Sequence, residues 1–207
     1  MSRDTRHKII EESARLFNMR GYHGCSLQDI MDATNLKKGG IYNYFSTKDE
    51  IAYAAFDYSF NLVLARFTEA LAKAQTSKEK LYAIIDVFAS FYKYPVSEGG
   101  CPIFNTAVDS NGTHPELTEK AREAINTLKR YIEIKIDEGK ESGEFKSETK
   151  SEELSALIIL TTEGALIMSR VNNDPAPVSA AIKHLKQTIN NSILINNTNQ
   201  LVSNEKK

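Results

Sequence analysis

The sequence has little cysteine, no long apolar run and almost no net charge, and each shortage narrows the class of protein. Two cysteines in 207 residues are too few for a disulfide scaffold and fit the reducing interior of a cell. The chain opens without the apolar segment of a signal peptide. Its most apolar run, residues 156–160, falls far short of the roughly 20 residues that a membrane span needs. We therefore expect a soluble, cytoplasmic protein.

Taken as a whole, the net charge of −1 gives no sign of a protein that binds nucleic acid. The charge is unevenly distributed, however. Residues 1–48 contain eight lysines and arginines against five acidic residues, a net charge of +3, so the remainder carries −4. This asymmetry is modest, and on its own it is only a hint of an N-terminal segment with an anionic partner.

Apolar residues recur every three or four positions along most of the chain, and strand-like alternation is almost absent. This periodicity predicts an all-α fold, in which Gly21 stops the first helix and Pro115 starts a later one. We divide the chain into a three-helix DNA-binding domain of helix-turn-helix type at residues 1–48, a larger helical domain at 49–195 and a polar, disordered tail at 196–207.

Three short helices in the first 45 residues have the arrangement of a helix-turn-helix. Ser26 is a good N-cap for the second helix, and a turn at residues 34–36 precedes a third helix at about 37–45. Ile41 and Phe45 face the core, which leaves four polar side chains on the outer surface: Lys37, Lys38, Tyr42 and Asn43. Such side chains neutralise phosphates and read base edges, although a short basic helix also fits a merely solvated surface.

Two glycines, Gly39 and Gly40, lie inside this third helix. Each costs about 1 kcal/mol in helix propensity. Their presence makes sense if the backbone must approach a flat surface closely, as it would against DNA.

The residues around this segment follow a specific order. They read Leu16-Phe17, Gly21-Tyr22, Ser26-Leu27-Gln28-Asp29-Ile30, Ala33-Thr34-Asn35-Leu36-Lys37-Lys38-Gly39-Gly40-Ile41-Tyr42-Asn43-Tyr44-Phe45 and Lys48. This order resembles the DNA-binding signature of the TetR/AcrR family of bacterial regulators. Three positions depart from that signature: Asn35 replaces a common glycine, Lys37 a small hydroxyl residue and Tyr44 a frequent histidine. Asparagine also adopts the left-handed conformation, so the turn is expected to survive.

The resemblance implies a transcriptional regulator of about nine helices, whose larger domain binds ligand and dimerises. As a homodimer it would bind a double-stranded, palindromic DNA operator, act as a repressor or less often an activator, and release the operator when a small-molecule effector binds. No cofactor is implied. The implied DNA contacts are Ser26, Gln28, Lys37, Lys38, Gly39, Tyr42, Asn43, Tyr44 and Lys48, of which Lys37, Gly39 and Asn43 lie near bases and Tyr42, Tyr44 and Lys48 on phosphates.

The effector pocket and the dimer interface are predicted within the larger domain. No cluster of cations favours an anionic effector, so we expect an apolar or aromatic one. The candidate pocket residues are Phe60, Leu64, Phe88, Phe91, Tyr92, Cys101, Phe104, Glu163 and Met168, although aromatic residues at helical spacing more often belong to a plain core. The helix at 152–171 is apolar on most of its circumference and must be covered on several sides. The candidate interface residues, on this helix and the last one, are Leu157, Leu160, Ile167, Ile182, Leu185 and Ile189.

Other functions remain open on particular residues. Cys101, at the start of a short helix, is either a redox or electrophile sensor or a small apolar residue beside Pro102. A helical enzyme would need reactive groups near one another, and Asp109, Ser110 and His114 are close in sequence, but such residues are ordinary in a turn-rich loop. The four histidines do not pair at metal-ligand spacing. A helical binding protein without DNA contacts is the remaining alternative.

Overall fold

The computed structural model describes residues 3–195, and within them the predicted all-α fold is confirmed. The predicted disordered tail, residues 196–207, lies outside the described residues. The helices are α1 (Arg3–Gly24), α2 (Leu27–Thr34), α3 (Lys38–Tyr42), α4 (Lys48–Leu71), α5 (Ser77–Ser90), α6 (Pro102–Ser110), α7 (Pro115–Glu141), α8 (Ser151–Asn172) and α9 (Ala176–Thr188), followed by a π-helical turn at Ile189–Ile193.

Two hydrophobic cores organise these helices. The smaller core joins α1, α2 and α3 to the start of α4, with Ile9, Ile30 and Ile41 fully buried in it. The larger core lies among α4 to α9. Because α4 contributes Ile51 to the smaller core and Val63 to the larger one, this helix runs as one rigid element from the N-terminal helices into the larger bundle.

The regular first helix stops at the predicted glycine. Gly21 has φ 72° and ψ 169°, which are not helical angles, and a short helical turn follows this kink as far as Gly24. The predicted stop at Gly21 is therefore confirmed, and α1 consists of two helical segments joined at a kink. A Cβ atom at this position would overlap the carboxylate of Asp109 on α6, so a glycine is required both by the positive φ and by the close approach of α6.

A polar junction fixes α1 against the start of α6. The side-chain amide of Asn18 donates to the carbonyl oxygens of Glu98 and Gly100, at 2.7 and 3.1 Å. The Asn105 amide donates to Oδ1 of Asn18 and to the carbonyl of Gly99, both at 2.9 Å. This α1–α6 junction ties the N-terminal helices to the larger bundle through groups that are largely shielded from water.

Helix α8 has one face in the larger core and one face that the protomer leaves uncovered. It is the one helix among residues 3–195 that is long and apolar enough to cross a membrane, yet half of its apolar stretch is buried inside the protein. The uncovered residues follow helical spacing and are large and apolar: Leu157, Leu160, Ile167, Met168 and Val171, with Leu160 67% exposed and Val171 80%.

The predicted interface residues separate into two groups in the structure. Leu157, Leu160 and Ile167 are exposed, and Ile182 is half-buried. Leu185 and Ile189, in contrast, are 1% and 0% exposed and belong to the protomer's larger core. That part of the prediction is wrong, because the apolar face of α9 turns inward against α5 and α8 instead of outward.

The packing of α7 generates a test of stability. A Cβ atom at Gly139 would overlap the ring of Phe145, which is 1% exposed and whose N–H donates to the Gly139 carbonyl at 2.9 Å. Alanine normally stabilises a helix by about 1 kcal/mol over glycine, but overpacking costs more. We expect Gly139→Ala to lower the free energy of unfolding by about 2 kcal/mol in urea titrations followed by circular dichroism.

Gly24→Ala is the matched control, because its Cβ atom would meet only the Cβ atom of Arg20 at an ordinary 3.5 Å. We expect this control to change stability by less than about 0.5 kcal/mol. A Gly139→Ala variant as stable as the native protein would show that Phe145 does not limit the space there.

Candidate functional site

The second helix is held at its N-terminus by a reciprocal pair of hydrogen bonds. Ser26 Oγ accepts from the Asp29 N–H at 3.1 Å, and the Asp29 carboxylate accepts from the Ser26 N–H at 2.7 Å. The bonds from Ser26, supported by Arg20 at 2.6 Å, hold the pKa of Asp29 below its usual range. The predicted cap at Ser26 is confirmed, and it fixes where α2 begins.

The turn after α2 is closed by the residue that replaces the usual glycine. Asn35 has φ 56° and ψ 39°, the left-handed conformation, and its N–H points back to the carbonyls of Met31 and Asp32. Asparagine is among the few non-glycine residues that adopt this conformation readily. The substitution therefore preserves the turn that joins α2 to α3.

Helix α3 presents a polar outer face and a single buried side chain. Ile41 is 0% exposed, whereas the four predicted outer residues, Lys37, Lys38, Tyr42 and Asn43, are all exposed. The ammonium of Lys38 lies 5.6 Å from the centroid of the Tyr42 ring. Neither Lys37 nor Lys38 forms an ion pair with another residue of the described range, so both charges are available to an anionic partner.

The two glycines of α3 have different surroundings. A Cβ atom at Gly40 would make ordinary contact with Leu36 at 3.6 Å, but one at Gly39 would have no neighbour within 4 Å. Gly39 has no φ in the left-handed region either. Within the described fold, then, neither packing nor backbone conformation calls for a glycine at position 39. A close approach by something outside the protomer would call for one.

The remaining predicted DNA contacts differ in their exposure and in the hydrogen bonds that they form within the protein. Ser26 and Gln28 are exposed, and Gln28 donates to Asp32 at 2.7 Å. Tyr44 is half-buried against the smaller core. Lys48 donates to the carbonyl of Tyr22 at 2.6 Å, and its ammonium lies 4.0 Å from the centroid of the Tyr22 ring. Lys48 is half-buried, and neither contact neutralises its charge, so its contact with a phosphate stays a prediction.

A cavity of about 540 Å³ lies between the N-terminal helices and the larger bundle. Its walls come from α1, α4, α6, α8, the loop before α6 and the start of α7. They are mainly apolar and include Phe17, Tyr22, Ala52, Phe56, Phe104 and Leu166. Cys101, Phe104 and Glu163 are the three predicted pocket residues that the structure brings to this cavity.

The other six predicted pocket residues lie elsewhere. Phe88 and Phe91 are 2% and 0% exposed in the larger core, Met168 is 56% exposed on the outside of α8, and Phe60, Leu64 and Tyr92 pack against the core. None of the six lines the cavity. The contribution of α1 to the cavity wall was not predicted, because Phe17 and Tyr22 in the sequence indicate only the end of the first helix.

Glu163 is the one acidic side chain of the cavity wall that is fully enclosed. It is 4% exposed, and its Oε1 has no hydrogen-bond partner in the protein. Burial raises the pKa of Glu163 to about 7, and a hydrogen bond with Cys101 opposes part of that rise. A carboxyl group near the point of half-ionisation at neutral pH therefore faces an apolar cavity.

Cys101 is buried beside this carboxyl group. It is 3% exposed, and burial, together with the negative charge of Glu163, raises the pKa of its thiol well above the usual value. Reactive cysteines depend on an accessible thiolate. The surroundings of Cys101 therefore favour the structural interpretation over a redox or electrophile sensor.

The three residues considered for catalysis each have a structural partner. The Asp109 carboxylate accepts from the Tyr22 N–H at 2.7 Å, Ser110 Oγ accepts from the Thr118 hydroxyl at 3.1 Å, and His114 Nδ1 accepts from the Leu117 N–H at the start of α7. These bonds join α1 to α6 and α6 to α7. They assign the three side chains to the scaffold.

Known protein families match both the N-terminal helices and the larger helical bundle. A family profile described as bacterial regulatory proteins, tetR family, matches residues 9–55, and one described as the C-terminal domain of tetracyclin repressor-like proteins matches residues 77–185. A solved TetR transcriptional regulator from Chloroflexus aurantiacus is 38% identical with a TM-score of 0.91, covering 93% of this chain and 98% of that one.

Two further relatives are also similar to this chain over most of its length. A solved TetR-family regulator from Cytophaga hutchinsonii is 34% identical with a TM-score of 0.85, covering 95% of this chain and 98% of that one. The HTH-type transcriptional regulator YxaF of Bacillus subtilis is 25% identical over 176 residues, 84% of this chain and 90% of that protein. The similarity therefore extends over the whole described architecture and is not confined to the helix-turn-helix.

The enclosed carboxyl group predicts a pH dependence of stability. In the folded protein the pKa of Glu163 is about 7, against an ordinary value of 4.5. The neutral group costs nothing extra below about pH 4.5, and stability is lost as pH rises from there through about 7, by up to roughly 3 kcal/mol. Glu163→Gln cannot ionise, so we expect its stability relative to the native protein to increase over that window and then level off.

Urea unfolding of both proteins at pH 5, 6, 7 and 8 measures this difference. Arg170→Gln, which changes a charge on the same wall at an exposed position, is the control and should leave the pH profile unchanged. A gap between Glu163→Gln and the native protein that is constant with pH would contradict the prediction.

Proposed function

Because the chain belongs to the TetR family of bacterial regulatory proteins, we propose that it is a repressor that binds a palindromic DNA operator as a homodimer and releases it when a small molecule occupies the cavity. Members of this family are DNA-binding transcriptional regulators and not enzymes. As a regulator of bacterial DNA, this protein would act in the cytoplasm.

The outer face of α3 is the observation that carries the DNA-binding part of the proposal. It combines the exposed cations Lys37 and Lys38 with the exposed side chains of Tyr42 and Asn43, and it includes a glycine, Gly39, that nothing inside the described fold requires. A helix in the major groove needs cations for phosphates, amides or cations for base edges and a backbone that comes close. Ser26 adds the N-terminus of α2, which favours a phosphate.

Homodimerisation is supported by the uncovered face of α8. Its large apolar side chains, Leu157, Leu160, Ile167, Met168 and Val171, form a continuous exposed stripe of the kind that marks protein–protein contacts. A second copy of the chain, related by a two-fold axis, would cover this stripe with the same stripe. The two α3 helices would then read the two halves of a palindrome.

Effector release is supported by the position of the cavity. Its wall includes α1, which carries the helix-turn-helix, and α6, which the α1–α6 junction holds against α1. A ligand that needs more room than the empty cavity offers would separate these elements. Since α1 also packs along α4, such a displacement changes the orientation of α3 and thereby the spacing of the two reading helices in the dimer.

The DNA-binding proposal is tested with duplexes that the native protein selects from a random library. We expect Lys37→Ala combined with Tyr42→Ala to bind the selected duplex at least about a hundredfold more weakly, since each subunit of a dimer loses two contacts worth about 1 kcal/mol or more. Binding by the native protein should weaken steeply with salt, by close to one unit of log slope for each phosphate contact.

Lys73→Ala is the matched control, because this exposed lysine lies beyond the far end of α4 and loses the same charge. It should bind within about twofold of the native protein. Unchanged binding by the double variant in the same gel-shift series would remove α3 from the reading role.

The dimer proposal is tested at Leu160, which is 67% exposed on α8. We expect Leu160→Arg to convert a dimer to a monomer in analytical ultracentrifugation without loss of helical content, because a buried unpaired charge opposes association whereas an exposed one does not affect the protomer. Ala65→Arg, at an exposed position on α4, adds the same charge elsewhere and should leave the dimer intact. A monomeric native protein, or a dimer that Leu160→Arg leaves unchanged, would exclude this interface.

A further inference from the structure

The cavity contains one buried polar atom that the protein itself does not satisfy, Oε1 of Glu163. We infer that the effector is an organic ammonium ion with an apolar or aromatic body, whose N–H group donates to the Glu163 carboxylate. This inference rests on the proposed effector role of the cavity and extends it from a small molecule in general to one chemical class.

Glu163 is buried in an unfavourable state for an acidic group. Its side chain is 4% exposed, and its polar neighbour in the protein is the thiol of Cys101. A buried acceptor without a donor lowers stability, and a buried charge without a counter-charge lowers it more. An ammonium ion supplies the missing donor and the missing opposite charge together, which a neutral apolar ligand does not.

The space around this carboxyl group has the size and the lining of a pocket for an apolar molecule. The volume of about 540 Å³ is typical of pockets for drug-sized molecules. Phe17, Phe56 and Phe104 contribute aromatic rings, and Ala52 and Leu166 contribute aliphatic surface. Such a lining accepts an apolar body, and the faces of aromatic rings also attract cations.

The cavity wall contains few other ionisable groups. The other ionisable groups of the lining are Tyr22, Cys101, Asp109 and Arg170. Asp109 is engaged with the Tyr22 N–H. Arg170 is exposed and lies against Gly100, seven residues or about 10 Å along α8 from Glu163. Because exposed charge is screened by solvent and salt, the buried carboxylate decides the sign of ligand charge that the interior prefers.

A chain-matched series of three probes tests the inference: 4-phenylbutylammonium, 4-phenylbutanol and 4-phenylbutanoate. Calorimetric titration of the full chain at pH 8 should give an affinity for the ammonium at least tenfold above that for the alcohol, with the carboxylate weakest. Lowering the pH to 6 should weaken the ammonium about tenfold, since Glu163 becomes largely protonated while the probe stays charged. The affinity of the alcohol should change little.

Two variants identify the group responsible. Glu163→Gln should remove the preference for the ammonium and its pH dependence, while binding of the alcohol stays within about threefold, which also reports that the cavity is intact. Arg170→Gln removes a positive charge from the same wall and should leave the preference for the ammonium in place. Equal affinity for ammonium and alcohol, a preference for the carboxylate, absence of binding by all three probes, or an ammonium preference that survives Glu163→Gln would each overturn the inference.

The titrations contain no DNA, so their outcome does not depend on operator binding. If the ammonium binds as expected but leaves the protein on its selected duplex, the inferred ligand class stands and the proposed release by a cavity ligand is wrong. If the protein binds DNA and none of the probes, the DNA-binding proposal stands and the inferred ligand class is wrong.

Discussion

The architecture depends on the α1–α6 junction, where two asparagines and two glycines bring the N-terminal helices against the larger bundle. The side-chain amide of Asn18 donates to two backbone carbonyls of the loop before α6, and the amide of Asn105 donates to Oδ1 of Asn18. Gly21 and Gly99 let α1 approach α6 and the loop before it closely. A Cβ atom at Gly21 would overlap the Asp109 carboxylate, and one at Gly99 would overlap the Asn18 carbonyl. Hydrogen bonds that are shielded from water are costly to break without a replacement partner, so these bonds stabilise the contact between α1 and α6.

The cavity follows from the same junction. Because α1 is bent at Gly21 and pinned at Asn18, its aromatic residues Phe17 and Tyr22 form one wall, and α6 forms the opposite part with Phe104. A ligand placed in this space would contact both the N-terminal helices and the larger bundle. A cavity wholly within α4 to α9 would not offer that shared contact.

How much the sequence could predict follows from the range of the interactions involved. The cap at Ser26, the left-handed Asn35 and the outward side chains of α3 are set by neighbours within a few residues, and these expectations held. The pocket wall contains residues from position 14 to position 171, and helical periodicity identifies an inward face without distinguishing a core from a cavity. Phe88 and Phe91 were therefore misplaced, and Leu185 and Ile189 were assigned to a subunit surface although they complete the protomer core.

Helix α8 shows how one apolar helix can serve three surroundings. Ile158 and Ile159 face the core, Glu163 and Leu166 the cavity, and Leu160 and Met168 the solvent side proposed for the partner subunit. A carboxyl group in such a helix lowers stability at neutral pH, as its raised pKa records. A residue that served packing alone would be more stable as a neutral isostere. The inferred ammonium ligand would offset this cost by donating to the carboxylate, which would explain a charge at position 163 that packing alone does not favour.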